Sequence, residues 1–312
     1  MSLAPWQTAQ WSTLQARRDR GALPHALLLA GPAGLGKREF ARAFAYGLLC
    51  AQPVDGHACG HCRNCLLFAA GTHPDWLVLG RGLRRDGTER SEIVIDQIRE
   101  LAAKLAMSSQ FGGWQVACID PADAMNTAAA NALLKTLEEP SGQTLLLLLA
   151  DAPWRLPATI RSRCQRIEFH LPETAQALAW LNRERAGDDG AQALAAAGGN
   201  PGLARDWLRS GQLEQRTAVR GDLAGLAAGR SDPGSVARRW VEHEPAPALW
   251  FAAQAASDEL QARAQGRRPP LGSALDDEGL WRWHIAANQA REDLRGPLRA
   301  DLLLLDLLAR WR

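Results

Sequence analysis

The sequence predicts an α/β domain with a parallel sheet, followed by two helical domains. The first observation is a glycine-rich loop directly after an apolar segment, which is typical of nucleotide-binding α/β folds. The second is a set of fully apolar segments separated by helix-length stretches, a pattern that favours parallel strands covered on both faces. The third is that from Pro172 onward only Ala-rich helical stretches occur. The predicted strands are residues 26–30, 76–79, 115–120 and 144–150.

The composition fits a globular chain of several domains. Its 312 residues, 46% of them hydrophobic, exceed what a single core usually fills. The net charge is only +2, so any contact with nucleic acid would depend on local patches. The first ten residues have no basic segment leading into an apolar one, and the longest apolar run, 145–150, is far shorter than a membrane span. We therefore expect a cytoplasmic protein with no membrane partner.

The segment GPAGLGKREF matches the phosphate loop GxxxxGK[ST] up to its last letter, where Arg38 stands. In such loops the glycines let backbone N–H groups wrap the phosphates, the lysine reaches the outer phosphates, and the hydroxyl holds Mg²⁺. The missing hydroxyl makes ATP binding doubtful. The candidate nucleotide-binding residues are Gly31, Gly34, Gly36 and Lys37.

A second incomplete signal follows the third predicted strand. That strand ends at Asp120, where a nucleotide hydrolase of this layout has the aspartate that holds the metal ion. The next position, which needs a glutamate to activate water, is Pro121, and proline has no ionisable group. Two missing parts together predict a nucleotide-binding fold that has lost its hydrolytic chemistry, with Asp120 as a remnant.

A cluster of cysteines follows the helix after the loop and predicts a zinc site. Four thiolates complete a tetrahedral shell and leave no position for water, so the metal would be structural. His57 and His61 are the nearby alternative ligands. Free thiols or two disulfides are the other interpretation, although a chain without a signal peptide meets a reducing compartment. The predicted ligands lie within sixteen residues as C-x8-C-x2-C-x2-C: Cys50, Cys59, Cys62 and Cys65.

Two later segments, NTAAANALLKTLEEP from Asn126 and TLLLLLADAPWRLPATIRSRCQRIEF from Thr144, make a family resemblance specific. With HALLLAGPAGLGK, the cysteines and GTHPDW, they resemble the AAA+ subunits of the bacterial DNA polymerase III clamp loader over residues 5–210. The resemblance implies three domains: an AAA+ P-loop domain at 1–168 with a zinc module at 50–65, a small helical lid at 169–210, and an all-helical collar at 211–312 that assembles with partner subunits.

The resemblance implies one of two kinds of subunit, the ATP-hydrolysing gamma/tau type or the delta prime type, which is generally not a motor. A hydrolysing subunit would keep Ser or Thr at position 38, Glu at 121, and Thr or Asn near 150–151, and all three are absent. Arg205 stands where the lid of an active subunit carries an arginine, so the lid does not discriminate. The departures favour delta prime, a scaffold without independent enzymatic activity.

The Ser162-Arg163-Cys164 signature is intact, and the resemblance implies that Arg163 is an arginine finger for the ATP site of a neighbouring subunit. Without the resemblance, Arg163 would be interpreted as a solvated surface residue like Arg161 and Arg166. The implied function is to help load the sliding clamp onto primed DNA with gamma/tau and delta subunits. Two alternatives remain open: an autonomous gamma-type ATPase, and a zinc-bearing DNA-binding protein that acts alone.

Overall fold

The computed structural model describes residues 3–84, 87–184, 189–294, 296 and 298–311. The chain divides into two units, the first formed by Met1–Trp180 with Asn200–Gly202 and the second by Leu181–Gly199 with Leu203–Arg312. The predicted division into domains at 1–168, 169–210 and 211–312 stays a prediction. Among the described residues, no helix is both long and apolar enough to cross a membrane.

The first unit is built on a five-stranded parallel sheet of order β2-β3-β4-β1-β5. The central strands β1, β3 and β4 are buried along their whole length, which explains why their sequences are continuously apolar rather than alternating. The strands are β1 Ala26–Ala30, β2 Trp76–Leu79, β3 Gln115–Ile119, β4 Thr144–Ala150 and β5 Gln165–Glu168.

Helices cover both faces of the sheet, and alternate side chains of each strand supply the two cores. Leu27 and Leu29 of β1 pack in one core with Phe40 and Phe44 of the helix after the loop. Leu28, between them, lies in the other core with aliphatic residues of α4 and α5. The helices of this part of the chain are α1 Thr8–Asp19, α2 Lys37–Leu49, α3 Arg63–Ala69, α4 Ile95–Leu105, α5 Thr127–Glu138 and α6 Ala158–Arg161, followed by α7 Thr174–Arg183.

In the second unit, every secondary-structure element among the described residues is a helix, and turns and irregular segments connect these helices. Its longest helix, α12, packs against α10 and α13, while α14 packs against α11. Trp311 is fully buried and donates from its indole Nε1 to the carbonyl of Leu223 at 2.9 Å, which ties the end of the described chain to α10. Its helices are α8 Gly190–Ala196, α9 Pro201–Ser210 from Leu203 onward, α10 Gln212–Ala227, α11 Pro233–Glu242, α12 Pro245–Ala264, α13 Asp277–Asp293 and α14 Ala300–Ala309.

Candidate functional site

The predicted phosphate loop connects β1 to α2, and its glycines adopt backbone conformations that favour glycine. Gly31, Gly34 and Gly36 have φ values of 148°, 81° and 77°. Gly36 is the left-handed N-cap of α2, a conformation that L-residues with side chains rarely adopt. The amide of the buried Gln7 donates to the carbonyls of Leu35 and Gly36 at 2.8 and 2.9 Å, which fixes the loop from the N-terminal segment.

Lys37 is buried, with 6% of its side chain exposed, and its ammonium group is engaged within the protein. Nζ donates to the carbonyls of Gly31 and Pro32 at 2.6 and 2.7 Å. It also forms a 2.6 Å ion pair with the carboxylate of Asp151, the residue that follows β4. An ammonium group has three N–H donors, so these three acceptors use all of them.

Arg38, which replaces the hydroxyl residue of the motif, forms an ion pair with the carboxylate of Asp120 through its Nε. The hydrogen bond to Asp120 raises the pKa of Arg38 above its usual value, and burial opposes this increase. In a hydrolysing site the carboxylate and the hydroxyl would both serve Mg²⁺. In this chain the guanidinium group of Arg38 pairs with that carboxylate instead, so the departure at position 38 also engages the retained Asp120.

The four cysteines of the predicted zinc site converge. The Sγ atoms of Cys50, Cys59, Cys62 and Cys65 all lie within 4.8 Å of one another, and two of the Sγ–Sγ distances are 3.9 Å. A tetrahedral zinc with Zn–S bonds of about 2.3 Å requires sulfurs about 3.8 Å apart, so the donor set fits this metal. All six cysteines of the chain are free thiols.

Backbone N–H groups surround the sulfurs and favour thiolates. The Sγ of Cys62 caps α3 by accepting from the N–H of Cys65 at 3.4 Å, and the Sγ of Cys50 accepts from the N–H groups of Gln52 and Cys59. Burial raises the pKa of Cys62, but hydrogen bonds from backbone N–H groups and from the neighbouring thiols together lower it to about 6. For Cys65 burial dominates and raises the pKa to about 12. Zinc would bind all four sulfurs as thiolates, and the dication would offset part of their negative charge.

The two alternative histidine ligands are engaged elsewhere. His57 stacks on Trp11 with ring centroids 4.7 Å apart, and the Nδ1 of His61 lies 2.9 Å from the carbonyl oxygen of Cys59. The candidate cluster therefore consists of sulfur donors only, as the four-cysteine spacing predicts. The cluster joins the end of α2 to the start of α3.

Arg163 lies in an exposed turn between α6 and β5. Its Nη1 donates to the carbonyl of Thr159 at 3.0 Å, and its Nη2 forms a 2.6 Å ion pair with Glu138 at the end of α5. About a third of the Arg163 side chain is exposed. The guanidinium group is thus oriented by its own chain while it remains accessible at the surface. Its role as an arginine finger stays a prediction.

The structure brings together residues that the sequence reasoning treated separately. Lys37 and Arg38, at the start of α2, meet Asp151 after β4 and Asp120 after β3 at the carboxyl edge of the parallel sheet. Arg163 and the cysteines form separate sites. The sequence does not predict the ion pair of Lys37 with Asp151, although Asp151 lies where a hydrolysing subunit would have Thr or Asn. It also missed Gln7 and Glu138 as partners of the loop and of Arg163. Only the tertiary structure shows these contacts because their partners are far apart in sequence.

A phosphate loop between the first strand and its helix, in a parallel sheet of order β2-β3-β4-β1-β5, defines a P-loop protein of the AAA+ class. A family profile described as DNA polymerase III, delta subunit, matches residues 6–173. The chain is 43% identical to DNA polymerase III subunit delta′ of Pseudomonas aeruginosa over 79% of this chain and 74% of that protein. Identity to the delta′ subunit of Escherichia coli is 38% over 64% of this chain and 59% of that protein.

The chain belongs to the family of DNA polymerase III delta′ subunits. A tau/gamma subunit from Haemophilus influenzae is 37% identical over 48% of this chain and 20% of its own length. Among solved structures, a gamma-subunit-related protein of Thermotoga maritima covers 96% of this chain and 97% of its own with 16% identity and a TM-score of 0.43, a likeness too weak to add to the assignment.

Proposed function

We propose that this chain is a non-hydrolysing delta′-type subunit of a bacterial clamp loader and acts in the cytoplasm. In the assembly it would combine with gamma/tau and delta subunits and help to open the sliding clamp and load it onto primed DNA. Membership of the delta′ family supports this proposal, as do the three departures from a working ATP site.

The observation that carries the non-hydrolysing assignment is the ion pair between Arg38 and Asp120. A catalytic Mg²⁺ needs oxygen ligands and a negative environment. The guanidinium group neutralises the carboxylate and repels a dication that approaches it. Pro121 adds a second defect because it cannot activate the attacking water. Each defect alone blocks a different part of the reaction, so repair of one leaves the other.

The second part of the proposal is that Arg163 serves a neighbouring subunit as an arginine finger. A finger stabilises the charge that develops on the transferred phosphoryl group, and it can be supplied by a neighbouring protein. Arg163 has an exposed guanidinium group oriented by Glu138 and Thr159, and this preorganisation supports the proposal.

The cysteine cluster is proposed to hold one structural zinc. Four sulfur donors close the coordination shell, so no position is left for a reacting water or substrate. The metal would join α2 to α3 and stabilise the intervening segment, which has few apolar residues of its own. We also retain the three-domain division, with a lid at 169–210 and a collar at 211–312 through which the subunits would assemble.

The test of this function combines assembly with ATP turnover. The purified chain is mixed with gamma/tau and delta subunits and analysed by size-exclusion chromatography, and phosphate release is measured on the isolated chain. The proposal requires a stable hetero-oligomer and no ATP hydrolysis by the isolated chain. Steady turnover by the chain alone would instead favour the gamma-type motor. Salt-dependent binding to primed DNA without assembly would favour a lone DNA-binding protein.

A further inference from the structure

The ion pair between Lys37 and Asp151 is a contact of the first unit that the proposed function does not use. We propose that Asp151 sets the ligand specificity of the phosphate loop. Its carboxylate binds Lys37 where the outer phosphate of a nucleotide would bind, and it thereby excludes nucleotide from the loop. This inference rests on the proposed function and deepens it, because it names the residue that keeps an otherwise formed loop from binding.

The first argument is the number of donors on Lys37. The side chain is 6% exposed, and its ammonium group already meets the carbonyls of Gly31 and Pro32 and the Asp151 carboxylate, all at 2.6–2.7 Å. A phosphate oxygen could bind only by displacing one of these acceptors. The two carbonyls belong to the loop itself, so the carboxylate is the acceptor that a phosphate would have to replace.

The second argument is that the sheet register fixes Asp151 beside the loop. Ala30 of β1 pairs with Ala150 of β4, and the N–H of Gly31 donates to the carbonyl of Ala150 at 3.2 Å. The next residue of each strand therefore leaves the sheet at the same edge. The Asp151 carboxylate reaches Lys37 from this position, where it would also repel an incoming triphosphate through like charge.

The third argument is that the loop does not depend on Asp151 alone for its shape. Gln7 holds Leu35 and Gly36, and the Asn200 amide donates to the carbonyl of Ala33 at 2.7 Å. Gly202 lies so close to the loop that a Cβ atom there would be 1.9 Å from the carbonyl oxygen of Gly34. Loss of the carboxylate should therefore leave the loop in the same conformation, with one N–H donor of the Lys37 ammonium group free.

The experiment measures binding of a fluorescent ATP analogue, and separately of inorganic tripolyphosphate, to the full-length chain without Mg²⁺. The wild-type chain should show no saturable binding. Asp151→Thr and Asp151→Asn should bind both probes saturably, with dissociation constants at least about tenfold below the highest concentration tested on the wild-type chain, as expected for one regained charge-assisted contact. Adding Lys37→Ala to either variant should abolish the gain. Glu168→Gln is the matched control, because it removes a carboxylate at the end of β5, the other neighbour of β1.

Two results would overturn the inference: saturable binding by the wild-type chain with the affinity of the variants, or no gain in two variants that circular dichroism shows to be folded. Tripolyphosphate separates phosphate recognition from recognition of the base. Failure of this inference is distinguishable from failure of the proposed function, because a missing gain in binding leaves the absence of hydrolysis and the assembly intact. ATP turnover by the wild-type chain would contradict the proposed function instead.

Discussion

Two adjacent basic residues at the end of the nucleotide loop are both engaged by carboxylates. Lys37 and Arg38 pair with carboxylates that follow two different strands, Asp151 after β4 and Asp120 after β3. In the first pair the engaged residue is the lysine that would bind phosphate in a nucleotide hydrolase. In the second pair it is the aspartate that would bind the metal ion. The charged groups at the loop therefore have their hydrogen-bond and ion-pair partners within the protein itself.

The first prediction concerns Arg38→Thr, which restores the hydroxyl of the motif and frees Asp120. The variant should still hydrolyse ATP no faster than buffer, because Pro121 supplies no general base. Phosphate release by the isolated variant measures this, with an active gamma subunit as the positive control in the same assay. Turnover in this single variant would mean that another residue activates water and that Asp120 is not the remnant of the metal site.

At this scale the sequence identified most of the candidate residues but not their partners. The glycines, Lys37, Asp120 and the cysteines were identified because motif spacing is a local property of the chain. The ion pair of Arg38 with Asp120 spans 82 positions, and that of Lys37 with Asp151 spans more than a hundred. Such pairs follow from strand order and register, which the sequence pattern did not provide.

At the scale of helices and strands, apolar continuity was the reliable signal. The predicted strands 26–30, 76–79 and 144–150 are confirmed, and the third ends one residue earlier than predicted, at Ile119. The pattern did not delimit β5 because it is an edge strand, Gln165–Glu168, with three polar side chains. An edge strand with exposed side chains needs few apolar residues, so hydrophobic patterning is weakest there.

The second prediction concerns the segment between α2 and α3. Purified, reduced protein should contain about one zinc per chain, because four thiolates close the shell. Cys62→Ser should lower the zinc content and lower the melting temperature by about 5 °C or more, since metal binding contributes directly to folding. Cys62 is both a predicted ligand and the N-cap of α3, so its loss weakens two features together.

Elemental analysis and thermal melts are the measurements for the zinc site. Cys118→Ala is the control because this buried thiol lies in β3, outside the cluster. The Cys118→Ala variant should contain as much zinc as the wild-type protein. Freshly purified, reduced wild-type protein without any metal would contradict the zinc assignment.

The third prediction concerns the segment between α12 and α13. Glu259 is fully buried in α12, and its carboxylate accepts from the N–H groups of Leu271 and Ser273 at 2.8 and 3.1 Å. Arg263, one turn later, donates to the carbonyls of Ser273 and Leu275 at 2.7 Å. Glu259→Ala leaves these backbone donors unpaired and Arg263 without its buried partner, so it should lower the free energy of unfolding by about 3 kcal/mol.

Urea unfolding followed by tryptophan fluorescence measures this loss, because Trp283 and Trp311 are buried in the same unit. Glu278→Ala is the matched control: Glu278 forms an exposed pair with Arg282 in α13, and its loss should cost about 0.5 kcal/mol or less. Equal unfolding midpoints for the two variants would show that the buried carboxylate does not hold the segment.

At the scale of the whole molecule, the described structure after β5 is helical, as the change of pattern at Pro172 predicts. This part of the chain carries no motif that identifies a function, because packing among helices needs only suitably spaced apolar residues. Its proposed role in assembly therefore comes from the family and not from its own residues. The molecule would then act on the ATP sites of neighbouring subunits, since the basic residues of its own loop are paired within the chain.

Arg163→Ala tests this central claim most directly, in a complete loader reconstituted with gamma/tau, delta, clamp and primed DNA. The variant should assemble normally and keep its zinc. An arginine finger contributes a factor on the order of 10³ to 10⁵ to the rate of ATP hydrolysis at the site that it completes. The other ATP sites of the complex keep their activity, so the decrease in the total rate should be smaller. Arg161→Ala and Arg166→Ala, which change neighbouring exposed arginines, should do much less.

The measurement is the rate of clamp- and DNA-stimulated ATP hydrolysis by the assembled complex. The account predicts a clear decrease for Arg163→Ala, accompanied by slower clamp loading, and near wild-type rates for the two control variants. A complex that contains Arg163→Ala, assembles fully and hydrolyses ATP and loads clamps at the wild-type rate would contradict the account and leave Arg163 as a surface residue paired with Glu138.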